Sequence, residues 1–102
     1  MARKYKIEHT VSAVKELRGW PVFDRRKIAA TIKNELEHEP RKATRNKKMI
    51  EGAEPSWYFE PPLWELRIGE CRVFYDVDNE NLLVTVRAIR HKPPHRTTGE
   101  IV

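Results

Sequence analysis

Apolar and polar positions alternate with a period of two through the second half of the chain. Trp64, Leu66 and Ile68 form one run, Val73, Tyr75 and Val77 a second, and Leu82, Val84, Val86 and Ala88 a third. A period of two marks a strand with one face buried. The stretch 64–92 therefore predicts three consecutive antiparallel strands. Gly69-Glu70, glycine first, suits a two-residue type II′ turn between the first two. Asp78-Asn79-Glu80-Asn81 supplies turn formers between the second and third.

Upstream the period lengthens. Residues 4–9 alternate, with Tyr5 and Ile7 on one face, and predict a short first strand. Thr10 or Ser12 can cap a helix carrying Val11, Val14 and Leu17, which ends at Gly19 before Pro21. Asp24 is the expected N-cap of a second helix, Arg25 to about His38. Its buried stripe is Ile28, Ile32 and Leu36, widened by Ala29, and Pro40 stops it. The two helices form a hairpin over the apolar side of the sheet. The expected fold is thus α+β: a strand, a two-helix hairpin, then a three-stranded antiparallel meander completing one small sheet. Residues 1–92 make a single domain, and 93–102, with two prolines and no helical pattern, a flexible basic tail.

The turns fix a register, and the register places charges. If Ile68 pairs with Cys71, Arg67 faces Arg72; if Val77 pairs with Leu82, Arg72 faces Arg87. Three arginines then form one row on one face. The opposite face stacks Leu66, Val73 and Val86 beside Trp64, Tyr75 and Val84. Like charges directly opposite in a sheet are destabilising, so such a row implies an anion, either a phosphate backbone or a partner's carboxylates. One bulge would send an arginine to the other face. On this register Cys71 is a buried hydrophobe beside Ile68 and Ala88.

Charge sharpens this. The 102 residues carry a net charge of +5 with 34% charged side chains, which favours a polyanionic partner over a neutral metabolite. Residues 41–48, RKATRNKK, hold five basic residues in eight and read either as a solvated loop or as a phosphate-tracking segment. Residues 49–63 contain three prolines around Trp57, Tyr58 and Phe59 and predict a loop or an edge. Those aromatics either close the end of the core or stack on bases. With one cysteine and four scattered histidines there is neither a disulfide framework nor metal-ligand spacing. No signal peptide or membrane span is expected, and the cytoplasm is the expected compartment.

The blocks WELRIGECRVFYDVD and LLVTVRAIRHK resemble the toxins of the RelE/ParE superfamily of toxin–antitoxin systems. The matching features are a strand ending in Leu-Arg, a glycine turn, an Arg-Val-x-Tyr strand and a last strand closing on His-Lys. With the upstream elements, the resemblance spans about residues 3–92. It implies a RelE-like fold, no cofactor or metal, and a cognate antitoxin whose acidic amphipathic segment covers the basic face in a hetero-oligomer. In the endonuclease branch it implies cleavage of mRNA in the ribosomal A site by 2′-hydroxyl attack on the adjacent phosphate. That chemistry needs a base, cations for the phosphorane charge and an acid for the 5′ oxygen.

By position, Arg72 matches the family arginine at the scissile phosphate, with Arg67 its basic neighbour. His91 is the implied acid or base, its reference pKa being about 6.5, and Glu65 is a second titratable group or a diagonal ion-pair partner of Arg72. Arg87, Lys47, Lys48, Arg90 and Lys92 would seat nucleic acid. The chain departs from the endonucleases in having Leu63 and Glu65 where they carry lysines, Cys71 where tyrosine or histidine is frequent, and no C-terminal tyrosine. The segment 55–62 is also longer. Those departures keep two alternatives open: a ParE-like toxin that acts by binding DNA gyrase, and a non-toxic member that binds antitoxin or nucleic acid.

Overall fold

A computed structural model describes residues 3–102. The elements in order are β1 (Lys6–His9), α1 (Val11–Arg18), α2 (Val22–Leu36), β2 (Lys47–Ile50), β3 (Leu63–Ile68), β4 (Cys71–Asp78), β5 (Leu83–His91) and α3 (Thr98–Ile101). The strands form one sheet in the order β1-β5-β4-β3-β2, in which β1 runs parallel to β5 and the other neighbours are antiparallel. The fold is the expected α+β arrangement, with β2 added at one edge. Among the described residues no helix is long and apolar enough to cross a membrane.

The helices start near where their patterns dictate, but α1 buries Ala13 and half-buries Val14 and Leu17 while Val11 is exposed. Thr10 caps α1, its hydroxyl accepting from the Ala13 N–H at 3.1 Å. α2 begins earlier than expected, at Val22 behind Pro21, so Asp24 lies in its first turn rather than at its cap. Proline's fixed φ suits a helix start, and a carboxylate in the first turn complements the helix dipole. Ile28, Ile32 and Leu36 are buried as predicted, whereas Ala29 is exposed and adds nothing to the stripe.

The hairpin of α1 and α2 covers one face of the sheet, here called the helix face. Its core includes Trp64, Leu66, Val73, Tyr75, Val84, Val86 and Ile89. On the distal face a smaller cluster, Leu63, Phe74 and Ala88, is covered by Trp57, Phe59, Ile101 and Val102. Trp57 and Phe59 are therefore core residues, while Tyr58 between them is exposed and lies over the Arg87 guanidinium at 5.4 Å. The tail, which has no helical pattern in the sequence, turns into α3 and lies against this second cluster.

The β3–β4 hairpin has the predicted register, Ile68 opposite Cys71 and Arg67 opposite Arg72, with Gly69 at φ +58° in its turn. The β4–β5 register differs. Val77 pairs with Val84 rather than Leu82, because the loop extends to Leu82, which takes the left-handed conformation at φ 51°. A bulge between Phe74 and Tyr75 then absorbs Arg87: Tyr75 pairs with Val86, and Phe74 with Ala88. Beyond it every residue of β5 changes face, so Arg90 and not Arg87 lies opposite Arg72. The helix-face rows become Trp64–Tyr75–Val86 and Leu66–Val73–Ile89, and Ala88 belongs to the distal cluster.

A cationic pocket on the distal face

Alternation in two short strands builds the site. Glu65 and Arg67 on β3 point away from the helices, between core residues Trp64, Leu66 and Ile68. Lys48 on β2 pairs opposite Glu65, and Arg72 on β4 opposite Arg67. Arg45, Asn46 and Lys92 come in from the flanking segments. Together these seven residues line a cavity of about 120 Å³ that contains five cations and one carboxylate.

Arg72 is almost fully buried, at 6% exposure. Its Nη1 donates to the carbonyls of Gly69 at 2.6 Å and Cys71 at 3.0 Å, so the turn that precedes it holds the guanidinium in place. Burial lowers its pKa from the ordinary arginine value, Glu65 opposes that shift and Arg67 adds to it. A guanidinium nevertheless stays charged at neutral pH. Arg67 is exposed beside it. Glu65 is only 3% exposed; its carboxylate accepts a hydrogen bond from the Thr98 hydroxyl at 2.8 Å and lies 3.7 Å from the Lys48 ammonium. A fixed guanidinium, a second guanidinium at the rim and a carboxylate in one cavity can hold a phosphate and receive a proton beside it.

Four other sequence candidates lie elsewhere. Lys47 belongs to the opposite face from Lys48, as neighbours on a strand must, and is 4% exposed. Its ammonium donates to the carbonyls of Glu35 (2.9 Å), in the last turn of α2, and Glu39 (3.0 Å), just beyond that helix. It neutralises the negative end of that helix and is buried away from solvent. Lys47→Met should cost about 2–3 kcal/mol, because those carbonyls lose their donor, with the cationic pocket left in place. A shift of the urea midpoint measures this.

Arg87, expected in the arginine row, is instead paired with the buried Asp76, Nε to Oδ2 at 2.8 Å. Arg90 takes the place opposite Arg72, but its guanidinium turns to Glu16 of α1, 2.9 Å away. His91 follows the same change of face. It lies edge-on to Trp20 at 5.7 Å, bonds Glu70 at 2.9 Å and does not line the cationic pocket. Cys71 pairs opposite Ile68 and His91, not beside Ala88, and burial pushes its thiol up to about 12, so it stays protonated and inert.

Arg45 and Asn46 were not singled out by residue. The basic run 41–48 was their only signal, and Asn46 gains its place because its carbonyl accepts the Arg67 N–H at 2.7 Å. Thr98 carried no sequence signal at all.

The sheet, the helical hairpin and the cationic pocket on the distal face define a small RelE-like protein. Solved structures share this fold, among them three that superpose on most of this chain. The toxin–antitoxin complex RelBE2 from Mycobacterium tuberculosis superposes with a TM-score of 0.69 at 21% identity, covering 88% of this chain and 93% of that one. The archaeal RelE–RelB complex from Pyrococcus horikoshii gives 0.69 at 23% identity, covering 92% and 99%. The isolated E. coli RelE toxin gives 0.65 at 19% identity, covering 92% and 88%. No curated protein matches by sequence. The family profile described as ParE toxin of type II toxin–antitoxin system, parDE, matches residues 7–92. The chain belongs to that family, within the RelE/ParE superfamily.

Proposed function

We propose that the protein is a ribosome-dependent mRNA endonuclease that cuts by 2′-hydroxyl attack on the adjacent phosphate. The observation that carries this reading is the placement of Glu65 and Arg72 in one cavity among Arg45, Lys48, Arg67 and Lys92. In the reaction Glu65 takes the 2′ proton. Arg72, pre-set by the Gly69 and Cys71 carbonyls, and Arg67 hold the growing charge of the phosphorane. Lys48 or Lys92, which line the same cavity, would protonate the 5′ leaving oxygen, since His91 stands outside the pocket. Arg45 and Lys92 seat the strand's flanking phosphates.

The partner in the resting state is a cognate antitoxin, as in the M. tuberculosis and P. horikoshii complexes. An acidic segment laid over Arg45, Lys48 and Arg67 would neutralise the pocket in a toxin–antitoxin hetero-oligomer acting in the cytoplasm. The test incubates the purified chain with bacterial ribosomes programmed with a defined mRNA, maps new ends by primer extension, and runs a gyrase supercoiling assay in parallel. Cuts within the A-site codon are expected, with supercoiling unaffected. Intact mRNA beside inhibited supercoiling would replace this reading with a gyrase-binding toxin.

A further inference from the structure

The carboxylate proposed as the base is not open to an incoming strand. It is sealed by α3, whose Thr98 hydroxyl donates to Glu65 Oε2 at 2.8 Å, with Lys48 on the other oxygen. The helix is braced from within. Thr97 and Glu100 form a capping box, the Thr97 N–H and hydroxyl each 3.1 Å from Glu100 Oε1, and Arg96 reaches the same carboxylate at 3.2 Å. Its attachment to the sheet is slighter: the Thr98–Glu65 bond, and Ile101 and Val102 packed, partly buried, against Leu63, Phe74 and Ala88. A short unit that is rigid in itself and lightly anchored undocks at lower cost than the sheet unfolds.

The chemistry of the contact identifies what α3 replaces. Threonine presents a secondary alcohol, and so does the 2′ position of ribose. A base that takes a 2′ proton must first accept a hydrogen bond from that hydroxyl. We propose that α3 is a pseudosubstrate lid: the Thr98 hydroxyl occupies the place of the ribose 2′-hydroxyl on Glu65, and single-stranded RNA enters by displacing the helix. The identity of the displaced ligand rests on the endonuclease reading, whereas the lid itself rests on the Thr98–Glu65 contact. Apparent affinity is the intrinsic affinity scaled by the open fraction, so loosening the lid tightens RNA binding.

The test measures binding of a fluorescent hexauridylate and its 2′-deoxy counterpart by anisotropy, without ribosomes. The chains compared are the unmodified protein, Thr98→Val and Val102→Asp. Thr98→Val keeps the shape of the side chain and removes only the hydroxyl; Val102→Asp weakens the apolar anchor and serves as an independent route to the same opening. Thr98→Val should bind the ribo-oligomer about tenfold tighter than the unmodified chain, the loss expected for a hydrogen bond to a charged group, and Val102→Asp should bind it more tightly too. In the variants the deoxy-oligomer should bind about tenfold more weakly than the ribo-oligomer, having no hydroxyl for Glu65.

Unchanged or weaker ribo-oligomer binding in the two variants, including no measurable binding by any chain, overturns the lid. Equal affinities for the two oligomers overturn the exchange of one hydroxyl for another. Because the readout is affinity, a chain that tightens on loss of the lid yet cuts no mRNA refutes only the cleavage reading. A chain that cuts mRNA while its affinity ignores both substitutions refutes only the lid.

Discussion

Arg72→Ala should lower the rate of mRNA cutting on ribosomes by about 10²–10³-fold, the effect of removing one donor aimed at a developing oxyanion. The residue is 6% exposed and fixed by two backbone carbonyls, so on the endonuclease reading it would meet the phosphate without having to be ordered at the moment of reaction. Its removal also frees the Gly69 and Cys71 carbonyls, a cost of about 1–2 kcal/mol, which leaves a folded chain by circular dichroism. Arg72→Lys should recover little, because an ammonium cannot hold the turn and grip a phosphate at once in the way a planar fork can. Arg67→Ala should cost less than Arg72→Ala, since the Arg67 side chain is exposed and more of its field is screened by water. Initial cutting rates at saturating toxin rank the three.

The largest loss of stability should come from a pair that lies outside the pocket. Asp76 is 4% exposed, accepts the Glu60 N–H at 2.8 Å and pairs with Arg87 at 2.8 Å. These bonds join β4, the bulge of β5 and the proline-rich segment before β3. Asp76→Ala leaves a largely buried guanidinium without its carboxylate and a backbone N–H without an acceptor. About 3 kcal/mol of stability should be lost, a fall of roughly 15 °C in Tm for a domain of this size. Arg87→Ala combined with Asp76→Ala should be less damaging than the sum of the single changes, because the double variant strands neither charge. Thermal denaturation of the three variants measures the coupling.

What could be read from the residues follows from how local each signal was. The β3–β4 hairpin was legible because Gly69 leads a two-residue turn, and one turn fixes both Arg67 and Arg72. The stripe Ile28, Ile32 and Leu36 and the cap Thr10 were equally local. The upper half of β5 was not. Val-Thr-Val-Arg-Ala-Ile-Arg-His contains no glycine or proline to mark a bulge; the loop's extension to Leu82 moved Arg87 to Asp76, and the bulge turned His91 to Trp20 and brought Arg90 opposite Arg72. β2 is four residues long and half lysine, so its alternation hid inside a charge run, and with it the opposite fates of Lys47 and Lys48. α3 has a glycine within its four residues and owes its place to a hydroxyl and two aliphatic side chains that meet the sheet across a large gap in sequence. Arg67 and Arg72 were thus written in a turn, whereas Thr98 came only from tertiary packing.

On the endonuclease reading this pocket directs a ribose hydroxyl at its own 3′ phosphate. The most direct measurement places a single 2′-deoxynucleotide on the 5′ side of the mapped cut in an otherwise unmodified mRNA on the ribosome. Cutting at that bond should stop. Cutting at the same bond and rate with the hydroxyl gone would contradict that reading, whatever else the pocket binds.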